Sequence, residues 1–325
     1  MPTFHHTARI HGRSARAGRR SAEQTVAYVH GTRVYSPKYD ASYDHTAKTD
    51  VVATGVRLPR TAPRAWRDPG NLARAVEAAE TRRDAQLLRE IECQLPSEAV
   101  VLQADGSYVV RADALKAVWD HADELVGQGM AVVVGVHLNI KRTWDLETGA
   151  PVEVPRPGAH LLATMREVTA DGGLGAKRRD WNDASLYEAL RHAWEDRLND
   201  LLACLGSSTR VTRRSYRDFG LPVDGSVKLG RAPPDPAASP HRSFVVLDRF
   251  GEERLLDEWR RPSVHARVAD ANGARLLGDP AVAVSIAAVW KAPGADVTRR
   301  DVKRVLHTHT RTRSQYFDVL AAIDR

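Results

Sequence analysis

Two stretches rich in β-branched residues constrain the fold of this chain more than any other feature. MAVVVGVHLNI at 130–140 has the composition of a buried strand, and GAHLLATMREV at 158–168 indicates the next strand. The polar, proline-rich segment between them predicts a long hairpin-like excursion. Alternate residues of a strand share a face, so His137 and His160 would project from one sheet face if these strands are antiparallel neighbours.

Two neutral imidazoles on adjacent rigid strands make a plausible half-site for a divalent metal. Their spacing alone is unspecific, and a pair of buried, hydrogen-bonded structural histidines is the alternative. The residues themselves leave both interpretations open.

Helical patterns alternate with the strands. Ser21 is a predicted N-cap for a helix that carries Tyr28 and stops at Gly31. Further helices are predicted over 68–96, 112–129 and 186–206, and a final helix opens on the capping pattern TRRD at 298–301. A short strand is predicted over 51–59, and the polar stretch SPKYDASYDHTAKTD reads as a loop.

Length and composition bound the class of protein. The 325 residues fit one large or two modest domains, and 42% hydrophobic residues are enough for a real core. The chain has no apolar run of about 18 residues and its N-terminus has no apolar stretch, so we expect neither a membrane segment nor a signal peptide, and a cytoplasmic protein. Only Cys93 and Cys204 occur, without a CxxC pair, which argues against a disulfide framework and against a structural zinc site.

The net charge of +7 comes mostly from arginine, whose planar fork suits phosphate, and indicates a polyanionic partner. One cluster precedes the first helix (Arg9, Arg13, Arg16, Arg19 and Arg20), and a second follows the His160 strand (Lys177 to Asp180). Solvated loops remain the alternative for either cluster taken alone.

Six motifs in order resemble the MobA/MobL type of conjugative relaxase, a group within the HUH endonucleases. They are RSARAGRRSAEQTVAYVHG, the stretch from SYDHTAKTD to LREIECQLPSE, LVGQGMAVVVGVHLN, GAHLLATMRE, GLGAKRRDWND and VTRRSYRDFGL. The resemblance covers about residues 8 to 235.

The resemblance implies an α+β fold with a central, mainly antiparallel sheet flanked by helices and a smaller C-terminal extension. It implies a catalytic and DNA-binding domain at 1–232, and the composition shift near GRAPPDPAASPHR sets 233–325 apart as a proline-rich linker and a small α/β-helical extension. The implied function is nicking and rejoining of single-stranded DNA at a transfer origin, through a 5′-phosphotyrosine intermediate and a divalent metal, Mg or Mn. Accessory mobilisation proteins and a coupling protein are the implied protein partners.

Carried over residue by residue, Tyr28 matches the nucleophile, and His137 and His160 match two metal ligands. Tyr35, Tyr39 and Tyr43 are nearby rivals, and a packing role is the alternative for Tyr28. Glu77 and Glu80 match acidic positions that could orient a ligand histidine, or they form a solvated helix face. The expected DNA groove is lined by basic residues and an aromatic residue that stacks on bases (Arg13, Arg19, Arg20, Lys177, Arg178 and Trp181, with Tyr187 as a second stacking candidate).

The chain departs from the family pattern at one position. That pattern has two histidines separated by one residue, whereas this chain has Gly158-Ala159-His160, so one ligand position carries no side chain. Three alternatives follow. A neighbouring group supplies the third contact (Asn139, Asp44, His45, His5, His6 or His11), water fills the position, or the protein binds DNA without nicking it.

Overall fold

The computed structural model describes residues 4–13, 21–144, 150–225, 242–247, 253–258 and 262–325. The chain divides into two compact units, the larger formed by Pro2–Arg142 and Glu153–Ser207 and the smaller by Thr143–Val152 and Ser208–Arg325. Up to residue 204 the elements are β1 (His6–Gly12), α1 (Ala22–His30), β2 (Arg33–Ser36), β3 (Ala41–Asp44), β4 (Val51–Arg57), α2 (Pro69–Ala79), β5 (Gln86–Gln94), β6 (Val100–Leu102), β7 (Tyr108–Val110), α3 (Ala112–Gly127), β8 (Val132–Trp144), β9 (Pro151–Thr164), β10 (Arg166–Val168), β11 (Leu174–Lys177) and α4 (Ala184–Cys204).

A five-stranded sheet in the order β1-β5-β9-β8-β4 organises the larger unit. The pairs β1–β5, β5–β9 and β4–β8 are antiparallel. This confirms the expected α+β class with a mainly antiparallel sheet flanked by helices. It also confirms that the strands of His137 and His160 are hydrogen-bonded neighbours.

Helices α1 and α2 cover one face of the sheet. Their apolar side chains pack with alternate residues of the strands beneath (Val26, Val29, Leu72 and Val76 with Leu88, Val133 and Leu162). By strand alternation, Glu90, His137 and His160 project from that same face. The two helices therefore cover the apolar part of this sheet face. Its polar part, with Glu90, His137 and His160, lies beside the C-terminal end of α1.

The ends of α1 agree with the sequence prediction. The Ser21 side chain accepts a hydrogen bond from the Gln24 backbone N–H, and Gly31 ends the helix with a φ of 64°. Only glycine adopts this left-handed conformation without strain, so Gly31 fixes the point where the chain leaves the helix just after Tyr28.

The single helix predicted over 68–96 is wrong in its second half. The structure ends α2 at Ala79 and forms β5 over residues 86–94, between β1 and β9. Consecutive residues of β5 are buried, from Leu87 to Ile91, because both faces of this central strand are covered. Such a strand shows no polar–apolar alternation, and its short apolar run also fits a helical repeat.

The smaller unit contains β12 (Arg242–Leu247), β13 (Glu253–Glu258), α5 (Pro262–Gly278), α6 (Ala281–Val289), α7 (Arg299–His309) and α8 (Arg313–Ile323). The predicted capping box at Thr298 and Asp301 begins α7. The predicted division at 232/233 stays a prediction, because residues 226–241 lie outside the described residues. Among the helices in the described ranges, none combines the length and the apolar character needed to cross a membrane.

Candidate active site

The end of α1 rests directly on β8 because Gly135 has no side chain. A Cβ atom at this position would lie 2.1 Å from the carbonyl oxygen of Val29. That carbonyl belongs to the last turn of the helix, where carbonyls lack intrahelical partners. His137, two residues along β8, donates its Nε2–H to it at 2.8 Å. The absence of a side chain at Gly135 and the hydrogen bond from His137 together hold α1 close to the sheet.

His137 and His160 lie side by side, with ring centroids 4.7 Å apart. A carbonyl only accepts hydrogen bonds, so the contact with Val29 places the proton of His137 on Nε2 and leaves a lone pair on Nδ1. Burial lowers the pKa of His137, which keeps the ring neutral. A neutral imidazole with an open lone pair is the form that binds a metal.

Glu90 of β5 fixes the orientation of His160. Its Oε1 lies 2.6 Å from His160 Nδ1, and its Oε2 lies 2.6 Å from Nε2 of His11 and also accepts from Arg9. Burial acts to raise the pKa of Glu90, which is 2% exposed, but the hydrogen bonds from His11, His160 and Arg9 outweigh it and hold that pKa well below its usual range. The ionised carboxylate accepts a hydrogen bond from the Nδ1–H of His160, so Nε2 is the ring nitrogen that could face a metal.

Tyr28 lies beside these histidines and is exposed to solvent. Its ring is 51% exposed and lies 6.3 Å from the His137 ring and 5.4 Å from the His45 ring, both edge-on. The Lys48 ammonium lies 3.7 Å from the Tyr28 ring centroid. Within the described residues, no hydrogen bond of the Tyr28 hydroxyl is found. The rival Tyr35 instead donates its hydroxyl to Asp40 at 2.8 Å.

Asp50 brings a carboxylate to the open nitrogen of His137. Its Oδ2 lies 3.6 Å from His137 Nδ1, and its Oδ1 lies 3.7 Å from the Lys48 ammonium. Asp50 directly precedes β4, whose first residue, Val51, pairs with His137. Pairing between β4 and β8 therefore positions Asp50.

Gly158 lies opposite Gln94 on the neighbouring strand, and it has room for a side chain. A Cβ atom there would lie 3.6 Å from the carbonyl oxygen of Cys93, an ordinary contact. Close packing of the neighbouring backbone therefore does not require a glycine here. The absence of a side chain leaves one side of the histidine pair open.

Other groups that the sequence suggested as a third ligand are engaged elsewhere. His11 bonds Glu90, His5 lies 3.5 Å from Glu92, and Asp44 accepts from Thr46. His6 lies in a different group of side chains, with Cys93. His45 stays close to Tyr28.

Glu77 and Glu80 pair with cations rather than with a ligand histidine. Glu77 accepts from Arg13, from the Ala22 backbone N–H at the start of α1 and from Lys38. Glu80 lies 2.8 Å from Arg166 Nε and 3.1 Å from Lys177 Nζ. The orienting carboxylate that the sequence placed on these residues comes from Glu90.

The residues predicted to line a DNA groove differ in their exposure and in their bonding partners. Arg13 uses all five of its N–H donors on Glu77 and on the carbonyls of Glu77, Glu80 and Arg82. Trp181 is only 2% exposed, so its ring offers no face to a base. Arg178 pairs with Glu167 and Asp180. Arg19 and Arg20 lie outside the described residues.

Sequence reasoning missed Glu90, Asp50 and Lys48. The period-two sequence REIE, which places Glu90 and Glu92 on one strand face, was the one signal available, and the helical interpretation of that segment hid it. Asp50 and Lys48 lie in the polar stretch SYDHTAKTD, where the family resemblance assigned them no role, and the pairing of β4 with β8 brings them to the histidines.

The arrangement combines a solvent-exposed phenol, a cation against its ring, two adjacent imidazoles and a nearby carboxylate. Nitrogen and carboxylate donors of this kind suit a divalent cation. A hydroxyl without a protein acceptor is open to an electrophile from solvent. The arrangement is suited to nucleophilic attack on a phosphate supported by a cation.

Comparison with known proteins gives the family. The MobA/MobL family model matches residues 20–234. The chain is 28% identical to "Mobilization protein MobL" of Acidithiobacillus ferridurans, over 85% of this chain and 72% of that protein. It is 24% identical to "Conjugal transfer protein TraA" of Rhizobium radiobacter, over 91% of this chain, and spans only 26% of the length of TraA.

A solved structure described as "Molecular Basis of Vancomycin Resistance Transfer in Staphylococcus aureus" superposes with a TM-score of 0.53. It is 25% identical in sequence, and the match covers 66% of this chain and 100% of the other. Because the family model matches more than half of its residues, the chain belongs to the MobA/MobL family.

Proposed function

We propose that this protein is a relaxase that nicks and rejoins single-stranded DNA at a transfer origin, with Tyr28 as the nucleophile. The proposal assigns the activity to residues 1–232, with 233–325 as an extension. One observation carries it: an exposed tyrosine lies beside a pair of adjacent histidines in a chain of the MobA/MobL family.

The reaction requires one bond to form and one to break. The Tyr28 oxygen bonds to the scissile phosphorus, the phosphorus–O3′ bond breaks, the phenol loses its proton and the leaving O3′ takes one up. The product is a 5′-phosphotyrosine link and a free 3′-hydroxyl. Attack by that hydroxyl reverses the steps and rejoins the strand.

Arg9 and Lys48 supply positive charge for this step. The Arg9 side chain is 58% exposed, and its Nε is engaged by Glu90. The hydrogen bond that Arg9 donates to Glu90 raises the pKa of Arg9. Its remaining N–H groups would contact a phosphate of the DNA strand.

His137 Nδ1, His160 Nε2 and the Asp50 carboxylate would hold the divalent cation. The donor set fits, since both lone pairs are open and Glu90 fixes one of the rings. Because Gly158 supplies no third histidine, water would complete the coordination shell, which Mg²⁺ or Mn²⁺ tolerates better than Zn²⁺. A cation bound there would polarise the phosphoryl oxygens and stabilise the developing charge.

For the DNA strand we propose a path along a cleft of about 470 Å³ in the larger unit. Basic and polar residues line it together with acidic ones (Arg82, Arg166, Lys177, Arg179, Gln86 and Asn182 with Glu80 and Asp84). Glu80 neutralises part of the charge of Lys177 and Arg166, which leaves Arg179 for phosphate contacts. Of the residues predicted to line a DNA groove, Lys177 also lines this cleft. Trp181 is buried and has no role in this path.

The test is formation of a covalent protein–DNA adduct. Purified protein is mixed with single-stranded oligonucleotides from the origin region of its own element, with Mn²⁺ present, and run on a denaturing gel. We expect an adduct with the wild type and with Tyr35→Phe, and none with Tyr28→Phe. An adduct that persists in Tyr28→Phe would contradict the assignment of the nucleophile.

Gly158 favours a second candidate, a relaxase-like protein that binds single-stranded or hairpin DNA without nicking it. The position of one family ligand carries no side chain, although the backbone leaves room for one. Binding without an adduct in both the wild type and Gly158→His would support this candidate. An adduct gained only in Gly158→His would locate the loss of activity in the missing ligand.

A further inference from the structure

A second group of metal-ligating side chains lies on the other face of the sheet. His6 of β1 pairs with Cys93 of β5, and His121 of α3 covers them. Glu92 and His160 are cross-strand partners on the first face, so the side chain of Cys93, the next residue, projects from the opposite face. This group is therefore separate from the histidine pair beside Tyr28.

The three donors have the spacing of a coordination site. One ligand atom from each residue lies within 4.8 Å of the other two, and the Nε2 atoms of His6 and His121 are 3.1 Å apart. Zinc bonds of about 2.0–2.3 Å to nitrogen and sulfur imply donors roughly 3.3–3.8 Å apart in a tetrahedral site. Small movements of the side chains would bring the donors to these separations.

A carboxylate orients one of the imidazoles. Glu124 Oε2 lies 2.9 Å from His121 Nδ1, and Arg197 holds the other oxygen of Glu124 at 2.9 Å. This contact places the His121 proton on Nδ1 and directs the Nε2 lone pair at His6. A carboxylate behind a ligand histidine is the usual arrangement around zinc.

The three side chains are almost completely buried. His6 is 1% exposed and Cys93 and His121 are 0% exposed. Within the described residues, His6 Nδ1 has no hydrogen-bond partner. A role in packing alone would be served better by an apolar ring, which leaves no nitrogen unpaired.

We propose that His6, Cys93 and His121 form a structural site for Zn²⁺, with Glu124 as the partner of His121. Binding releases the thiol proton of Cys93, so Zn²⁺ and a neutral thiol become a zinc thiolate and one proton. The thiolate and Glu124 together offset the double positive charge in the interior. The ion would join β1, β5 and α3 behind the sheet.

The sequence argued against a structural zinc site because the chain has no CxxC pair. The three donors are instead spread over more than a hundred residues and meet only through strand pairing and the packing of α3. Cys93 also lies in the segment that was predicted as a helix.

The experiment measures metal in the full-length protein after washing with a chelator. We expect one zinc equivalent in the wild type, retained in His137→Ala/His160→Ala and in Cys204→Ser, and lost in Cys93→Ser. Retention in the double histidine variant separates this site from the one proposed for catalysis. Circular dichroism of Cys93→Ser shows whether the variant is folded.

A second readout does not depend on how well that variant folds. Wild-type protein refolded with Co²⁺ should show a sulfur-to-cobalt charge-transfer band in the near ultraviolet, and Cys204→Ser should show the same band. A wild type without zinc and without this band would overturn the proposal. So would zinc content that is unchanged in a folded Cys93→Ser.

Discussion

At the scale of single residues, Glu90 connects and positions several side chains of the candidate site. Its two oxygens accept from His11, His160 and Arg9, which lie on two different strands. A buried carboxylate with fewer partners would take up a proton, so the three donors are what keep it charged. Glu90 is a positioning residue: it acts on the reaction through His160 and Arg9.

Replacing Glu90 by glutamine should weaken the binding of Mn²⁺ about 10–100-fold, the usual cost of losing the carboxylate behind a ligand histidine. The amide cannot accept from three donors, so His160 loses its fixed orientation. Titration of Mn²⁺ by calorimetry or electron paramagnetic resonance measures the effect. Glu92→Gln is the matched control, since Glu92 contacts His5 at 3.5 Å and is much more exposed. Equal affinity for Mn²⁺ in the wild type and in Glu90→Gln would show that Glu90 does not position a metal ligand.

The sequence was sufficient for some of these residues and not for others. Strand alternation placed His137 and His160 on one face on the condition that their strands pair, and the structure shows that the strands are neighbours. Glu90 was hidden because its strand reads as a continuation of a helix. Asp50 and Lys48 depend on the register between β4 and β8, which no local pattern specifies.

At the scale of elements, the contact between α1 and β8 depends on a single glycine. Gly135→Ala should destabilise the protein by about 3 kcal/mol, because a Cβ atom 2.1 Å from the Val29 carbonyl forces the helix off the sheet. Urea unfolding followed by circular dichroism measures the change. The matched control is Gly158→Ala, whose Cβ atom meets only an ordinary contact and should change the stability by less than about 1 kcal/mol.

Similar unfolding midpoints for the two alanine variants would mean that α1 does not pack on β8 at this distance. A loss confined to Gly135→Ala would tie the position of Tyr28 to the absence of a side chain on the strand.

Most elements could be predicted, and β5 shows why the rest could not. Helices with capped ends, such as α1, carry local signals at both termini. A central strand buried on both faces has neither alternation nor caps, and its identity is decided by the strands on either side. The missed strand is also the one that brings Glu90 and Cys93 to their sites.

At the scale of the whole molecule, net charge is a poor guide to which cations face a ligand. The chain carries a net charge of +7, yet Arg13 and Arg178 are held by acidic neighbours. Arg9 also pairs with Glu90, but its side chain is 58% exposed, so it is the better candidate for a phosphate contact. The distinction between these arginines needs the structure, because the sequence shows neither their exposure nor their acidic partners.

Arg9→Gln should weaken the binding of single-stranded DNA and reduce the slope of log K against log salt by about 0.7, the value for one phosphate contact. Fluorescence anisotropy across a salt series measures this slope. Lys116→Gln, on an exposed face of α3 and paired with Asp120, should leave it unchanged. Identical slopes for the wild type and Arg9→Gln would place the scissile phosphate away from Arg9.

The hydrogen bond from His137 to Val29 has a consequence for motion. Tyr28 is the covalent neighbour of the residue whose carbonyl holds the imidazole. Any movement of α1 therefore moves the Tyr28 phenol and, through this hydrogen bond, the His137 imidazole. The fluctuations of the two groups are thus correlated. The absolute position of each group can vary while their separation is conserved, and a reaction depends on the separation.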